Sequence, residues 1–451
     1  MDAALDHLEK NRDSFLELLL EFLKIPSISA QREHHEDARR AAAFARAQLE
    51  AAGFSASLFE GPGLPTVYGS RIEGDDRPTL LVYGHYDVQP PEPFELWETP
   101  PFEPTILDGE IRARGCADDK GPSLALILAA HCWVEAHGSL PVNLKFILEG
   151  EEEVGGTVVE KFLEERKDDL AADALVIADV CGVDKGVPAL CYGLRGLVAA
   201  EVKVTGPSHD LHSGTYGGTV ANPATALARL VATLHDDDGR VAVEGFYDGV
   251  QELDENERDR LDRLPFDKDK YMEDTGSPKL FGEKGFTTLE RKSARPTCEV
   301  NGIFGGYQGE GSKTIVPSEA GCKLTCRLVP DQDPAAVQNA LVKHLEQNCP
   351  PGVTIEITRG HVAPAVYSDP ETDWAQRACA AMETAFGKAP ALTREGGSIP
   401  IVNLFTEKLG VQPLLLGTYT PGERAHSPNE RYPVDDFFAA IRTGIALFAN
   451  S

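Results

Sequence analysis

The sequence predicts an α/β fold: a layered domain with helices on both faces of a central mixed sheet, interrupted by an inserted α+β unit of ferredoxin-like βαββαβ order. Three observations carry this. Short apolar runs at 79–83, 142–148 and 174–178 read as buried strands, and helical stretches alternate with them. Beyond Gly193-Leu194-Arg195-Gly196, which looks like a hinge, the composition shifts and a strand of alternating pattern follows at 198–204. From about Ala363 the α/β pattern resumes and runs to a final helix at 435–448. The 451 residues therefore divide into 1–196, 197–362 and 363–451, more chain than one hydrophobic core serves.

The elements follow in order. An amphipathic helix spans 3–24 and stops before Pro26, and a second spans 36–52, closed by Gly53. Strands at 55–59, 66–71 and 79–83 come next. Pro122 opens a helix, in the first turn where proline is tolerated. The strand at 142–148, a helix at 158–166 and the strand at 174–178 complete the first part. In the insertion, Asn222-Pro223 is a good cap and first-turn pair for a helix. Strands at 299–304 and 322–329, a helix at 334–348 and a strand at 353–358 follow. Residues 236–296 are rich in charge.

Composition narrows the function. With 43 basic and 72 acidic residues the net charge is −29, which argues against nucleic-acid binding and against anionic membrane surfaces. Leu16-Glu17-Leu18-Leu19-Leu20-Glu21 is interrupted by acid at helical spacing, so it reads as neither signal nor membrane span. Nine cysteines, an odd number without framework spacing, suggest reduced thiols and a cytoplasmic home. Cys322 and Cys326 share one face of a strand and read as small apolar residues.

The chemistry concentrates where strands end. After the run at 142–148 come Glu149-Gly150-Glu151-Glu152-Glu153 and then Val154-Gly155-Gly156. Clustered carboxylates at the edge of an apolar core are unfavourable unless positive charge meets them, and divalent cations supply it. The run at 79–83 leads into Gly84-His85-Tyr86-Asp87, which can place an imidazole and a carboxylate on one side, His85 as ligand and Asp87 as its partner. Asp118 and Asp119 precede the helix at Pro122, Asp179 follows the strand at 174–178, and His426 sits in the polar loop 422–430. Carboxylates mixed with imidazoles suit zinc, manganese or cobalt. Neighbouring residues of an extended chain face opposite ways, so a turn at Gly150 or Gly155-Gly156 is needed to bring Glu152 and Glu153 inward together.

Taken jointly, Asp118-Asp119-Lys120-Gly121-Pro122, Asp210-Leu211-His212-Ser213-Gly214 and Gly396-Gly397-Ser398-Ile399-Pro400 resemble motifs of the co-catalytic di-metal exopeptidases. That family includes carnosinases, cytosolic nonspecific dipeptidases, aminoacylase-1 and carboxypeptidase G, and the match is nearest to the carnosinase-type dipeptidases. The resemblance covers nearly the whole chain. It implies hydrolysis of dipeptides with a free C-terminal carboxylate by water activated between two cations, zinc or manganese, with cobalt possible. His85 and Asp179 would hold one cation, Glu153 and His426 the other, and Asp118 both, with a cis bond between Asp118 and Asp119. Glu152 would be the general base and Asp87 the support of His85. His212 would stabilise the oxyanion in a partner subunit's site, which implies a homodimer. Thr314, Arg327 and Ser398 would hold the substrate, with Arg327 facing its carboxylate. The insertion would be a lid and dimerisation domain. An N-acyl-amino-acid deacylase or a carboxypeptidase could use the same machinery.

Other motifs read as less functional. His34-His35, flanked by Glu33 and Glu36, belong to a solvated helix start. Gly306-Tyr307-Gln308-Gly309-Glu310-Gly311-Ser312-Lys313-Thr314 mimics a phosphate-binding loop, but Ser312 breaks the spacing and Ile315-Val316-Pro317 denies it a helix. No GxSxG elbow argues for a serine enzyme.

Overall fold

A computed structural model describes residues 1–397 and 399–451. The chain forms two compact units, Met1–Tyr192 with Ser368–Thr393 and Leu404–Ser451, and Gly193–Tyr367 with Arg394–Asn403. The second unit is close to the expected 197–362, but it begins four residues earlier, extends to Tyr367 and takes in Arg394–Asn403.

The first unit is built on a mixed sheet in the order Ser55–Phe59, Thr66–Arg71, Asn143–Glu149, Thr79–His85, Ala174–Cys181, Gln412–Tyr419, Ala189–Leu194. Asn143–Glu149, Thr79–His85, Ala174–Cys181 and Gln412–Tyr419 run parallel to one another, so their carboxyl ends share one edge. Strands covered on both faces are apolar throughout, which is why these runs stand out in the sequence. Leu80 and Val82 point into one core with helices Lys120–His137 and Val434–Asn450. On the opposite face, Tyr83 meets Phe405 edge-on, with ring centroids 5.2 Å apart. Helix Lys120–His137 carries Pro122 in its first turn and ends at Gly138, φ +75. Its Trp133 indole donates to the Ile445 carbonyl at 3.0 Å, locking the two central helices together.

The amino terminus differs from the single helix expected over 3–24. Two helices, Asp2–Lys10 and Arg12–Leu23, meet at Asn11. Asn11 leaves helical geometry (φ −113, ψ 14), and its side-chain amide donates to the His7 carbonyl at 2.8 Å. A short polar side chain here competes with the helical ladder.

The second unit has the βαββαβ order. Its antiparallel sheet runs Thr297–Gly305, Glu319–Leu328, Gly196–Thr205, Thr354–Ala363. Helices Pro223–Ala232 and Pro334–Gln347 start from Asn222 and Asp333, whose side chains accept backbone N–H bonds. Val198, Val202, Leu227, Leu324 and Leu341 form the core with Cys322 and Cys326. The charged stretch is ordered into helices Glu255–Asp262, Lys268–Thr275 and Thr288–Ser293, the last opened by a capping box of Thr287 and Glu290. It is tied down by a buried fork of Arg295 on Glu283, at 2.8 and 2.9 Å. Among the described residues no helix is long and apolar enough to cross a membrane.

Phe146 is wholly buried in the parallel sheet and packs edge-on against Phe54 at 5.4 Å. Phe146→Ala is expected to destabilise the first unit by about 3–5 kcal/mol, seen as a lower urea midpoint. An unchanged midpoint would contradict the packing described.

Candidate metal centre

The parallel strands deliver their last residues to one edge, the place where open α/β sheets build sites. His85 ends Thr79–His85 directly beside Glu149, which ends Asn143–Glu149. Asp179 lies near the end of Ala174–Cys181. The loop after Gln412–Tyr419 carries His426, and the loop before helix Lys120–His137 carries Asp118.

These residues converge. His85, only 1 % exposed, places Nε2 at 3.0 Å from Asp118 Oδ1 and 3.8 Å from Asp179 Oδ2. The other Asp118 oxygen is 2.9 Å from His426 Nε2, which is 3.2 Å from Glu153 Oε2. The result is two trios, His85–Asp118–Asp179 and Asp118–Glu153–His426, each with its donor atoms within 4.8 Å of one another and with Asp118 common to both. His85 Nε2 is buried and forms no aligned hydrogen bond despite its short approach to Asp118. An imidazole nitrogen aimed at two carboxylates without bonding to either fits a cation between them, and this mixed nitrogen and oxygen set suits zinc, manganese or cobalt. The Asp118-Asp119 peptide bond is cis.

Electrostatics separates residues of one type. Burial would raise the Asp118 pKa, but the imidazoles of His426 and His85 beside it hold it well below the usual carboxylate range. Burial, then Asp118 and Asp119, push Asp179 well up. Burial lifts Glu152 to about 7, against the pull of His85 and with the help of Glu153 and Asp87. Burial disfavours charge on His85, yet Asp118 and Asp87 raise its pKa well above the ordinary value. His426, with its side chain 57 % exposed, is raised to about 10 by Asp118 and Glu153.

The turn that brings Glu152 and Glu153 together is a single 3-10 turn, Glu152–Val154, closed by Gly155 at φ +67. Asp87 holds it, since its carboxylate accepts the N–H of Glu152 at 3.3 Å and of Glu153 at 3.2 Å. His85 Nδ1 donates to the main-chain oxygen of Asp87 at 3.1 Å, while the Asp87 carboxylate is 3.5 Å away. With Nδ1 turned to a carbonyl, the neutral form of His85 would present Nε2 as its acceptor end. Gly150 is required for a different reason: a Cβ there would meet the Tyr86 hydroxyl at 2.1 Å.

Supporting residues without a signature in the sequence surround the cluster. Asp119 is buried, accepts Ser123 Oγ at 2.6 Å and the His85 N–H at 3.1 Å, and is pushed by burial to about 7. Gln89 Nε2 donates to Glu153 Oε2 at 2.7 Å. Tyr83 donates to Glu149 at 2.7 Å, and burial lifts Glu149 to about 8. Lys120 points elsewhere, to the carbonyls of Phe22 and Ile25. Only the unusual adjacency of Asp118 and Asp119 could have flagged any of these from sequence.

Three further candidates lie in the second unit. His212 is exposed on the short strand Leu211–His212, paired with Ile315–Val316, and its Nδ1 accepts the Gly214 N–H. Thr314 is its neighbour across that pair, with its carbonyl accepting the Ser213 N–H at 3.0 Å. Arg327, on Glu319–Leu328, lines a cavity of ≈ 800 Å³ together with Arg195, Arg295 and Asn301. Burial, then the charge of Arg327, lowers Arg195 to about 10. Ser398 lies outside the described residues. Gly306–Thr314 leads into a strand, Ile315–Val316, rather than a helix. His34 pairs with Asp37 at 3.0 Å and His35 with the Ser29 carbonyl at 3.0 Å.

Comparison with known proteins converges on one family. The model of "Peptidase family M20/M25/M40" matches residues 81–450. A Cys-Gly metallodipeptidase of Candida albicans is 31% identical over 97% of this chain and 94% of its own length. A Beta-Ala-His dipeptidase of Homo sapiens is 31% identical over 99% of this chain and 92% of its own. The solved structure of a metallo-carboxypeptidase from Sulfolobus solfataricus is 35% identical, covers 96% of this chain and 98% of that one, and superposes with a TM-score of 0.86. A match that takes in every donor loop from His85 to His426, with likeness along nearly the full chain, makes this protein a member of peptidase family M20/M25/M40, a metallopeptidase that hydrolyses peptide bonds.

Proposed function

We propose that the protein is a dipeptidase acting on dipeptides with a free C-terminal carboxylate. The observation that carries this is the pair of donor trios sharing Asp118, with Glu152 beside them and outside both. The names of the two dipeptidase relatives support the substrate size. In this reading His85 and Asp179 hold one divalent cation, Glu153 and His426 the other, and Asp118 both. Zinc and manganese are the proposed metals, with cobalt able to replace them. When bound, such a pair supplies the positive charge that acidifies a water molecule and polarises the scissile carbonyl.

The chain's own groups do the rest. Glu152 takes the proton of the attacking water and returns it to the leaving amine. Asp87 keeps the Glu152–Glu153 turn in place through two N–H bonds. By resemblance, Arg327 grips the substrate carboxylate with its planar fork, Thr314 and Ser398 help to hold the substrate, and His212 donates to the oxyanion. Residues 197–362 act as a lid and dimerisation domain, and His212 serves the partner subunit of a homodimer. A cytoplasmic location is supported by the nine cysteines, which stand as thiols. The carboxypeptidase likeness favours a second reading, in which longer peptides are trimmed from the carboxyl end.

Incubating the enzyme with Ala-Gly, Ala-Ala-Gly and N-acetyl-Ala-Gly, each with zinc or manganese, tests the proposal by release of glycine. Fast cleavage of Ala-Gly alone is expected, and preference for the longer or blocked peptide would move the assignment to the alternative. Glu152→Gln should abolish turnover and keep the metal content of wild type, as measured by elemental analysis. Near-normal turnover would remove Glu152 from the role of base. Arg327→Ala should raise KM for Ala-Gly and leave cleavage of its C-terminal amide unchanged. Equal losses on both would sink the carboxylate grip.

A further inference from the structure

Glu430 is 0 % exposed. Its Oε2 accepts from Arg114 Nη1 at 2.7 Å and from the Gly115 N–H at 2.8 Å. Its Oε1 accepts from the Ala117 N–H at 2.9 Å and the Asp118 N–H at 3.2 Å. Three of these four donors are backbone amides of the loop that ends at Asp118. The loop can wrap a carboxylate because Gly115 takes φ +83, where a Cβ would lie 2.6 Å from Val88 Cγ1. Four residues before Glu430, His426 Nε2 approaches the Asp118 carboxylate. One segment therefore holds Asp118 from both ends, its side chain through His426 and its amide through Glu430.

A carboxylate meets this demand, although burial pushes its pKa up against the pull of Arg114 and the loop amides. It offers two acceptor oxygens and no donor, whereas an amide of the same shape would turn N–H groups toward N–H groups. Arg114 supplies the countercharge, and its guanidinium lies over Trp97 with Cζ 5.4 Å from the ring centroid. Neutralising Arg114 could be the sole task of Glu430, but that would need one bond, and the structure shows three more to the loop.

We infer that Glu430 is a positioning residue whose buried carboxylate clamps the loop 114–118 and so fixes Asp118 where both cation sites need it. The inference rests on the reading of Asp118 as the shared ligand. It makes cation affinity, beyond fold stability, depend on a residue that is not itself a ligand.

The test titrates metal-stripped wild type, Glu430→Gln, Glu430→Asp and Glu283→Gln with zinc and with manganese, recording dissociation constants and thermal midpoints. Glu430→Gln is expected to weaken cation binding about 10–100-fold, the range for residues that orient metal ligands. Glu430→Asp, which keeps the charge but withdraws it by one methylene, should weaken it less. Glu283→Gln breaks a buried ion pair in the second unit, so it should lower the midpoint and leave affinity unchanged. Wild-type affinity in Glu430→Gln, or equal weakening by Glu283→Gln, overturns the inference. Should Glu430→Gln fail to fold, Glu430→Asp decides by the same two results. A wild type that takes up no cation overturns the metal-centre reading and the inference with it, whereas binding by wild type with an unaffected Gln variant overturns the inference alone.

Discussion

The mutual repulsion of carboxylates gathered at one buried sheet edge is the constraint on which the first unit depends. Two like charges ~4 Å apart repel by about 4 kcal/mol at an effective dielectric near 20. Asp118, Asp119, Asp179, Glu149 and Glu152 all sit in this region, where burial first and the neighbouring charges second act on their pKa values. Asp118, touched by two imidazoles, is driven down, while the other four are driven up. The chain meets part of the demand with backbone amides: Asp87, Asp119 and Glu430 each accept at least one N–H from a segment that carries a donor residue. Tolerance of the cluster therefore comes from polar groups whose only common property is that they point inward.

Elements defined by apolar periodicity were legible. The parallel strands that carry His85, Glu149 and Asp179 at or near their ends are largely apolar because both faces are covered, and these polar residues mark the break. Elements defined by local polar bonding were harder to read. Asn11 splits a helix through one side-chain bond. The stretch 236–296 folds into capped helices, and its cap residues Asp254, Asp267 and Thr287 were present in the sequence. Its anchor, however, is a buried Arg295–Glu283 pair, and charged residues are seldom expected inside.

The same division runs through the site. The side chains that converge as donors are types with a known appetite for metals, so motif order could gather them. The residues that brace them act on main-chain N–H and C=O groups, which every residue owns. Asp87 shows the difference well. Sequence spacing suggests that its carboxylate serves His85; that carboxylate lies 3.5 Å from His85 Nδ1, the shorter bond goes to its carbonyl, and the carboxylate also accepts from Glu152 and Glu153.

The loop 422–430 shows why bracing matters more than burial. His426 is exposed, and it takes φ +59, as Arg424 and Asn429 take +58 and +66. Such left-handed conformations are uncommon outside glycine and persist only where the surroundings enforce them. Here the enforcement lies downstream. Asn429 accepts from the Glu98 N–H and donates to the Leu96 carbonyl, and Glu430 grips 114–118. An imidazole on an open loop thereby gains a fixed position relative to Asp118, because the residues that follow it are bound to the same stretch of chain that carries its neighbour. The strand before the loop, Gln412–Tyr419, is held equally firmly between Ala174–Cys181 and Ala189–Leu194. With both ends anchored, the donor trio Asp118–Glu153–His426 can be assembled from chain segments that the insertion separates widely in sequence.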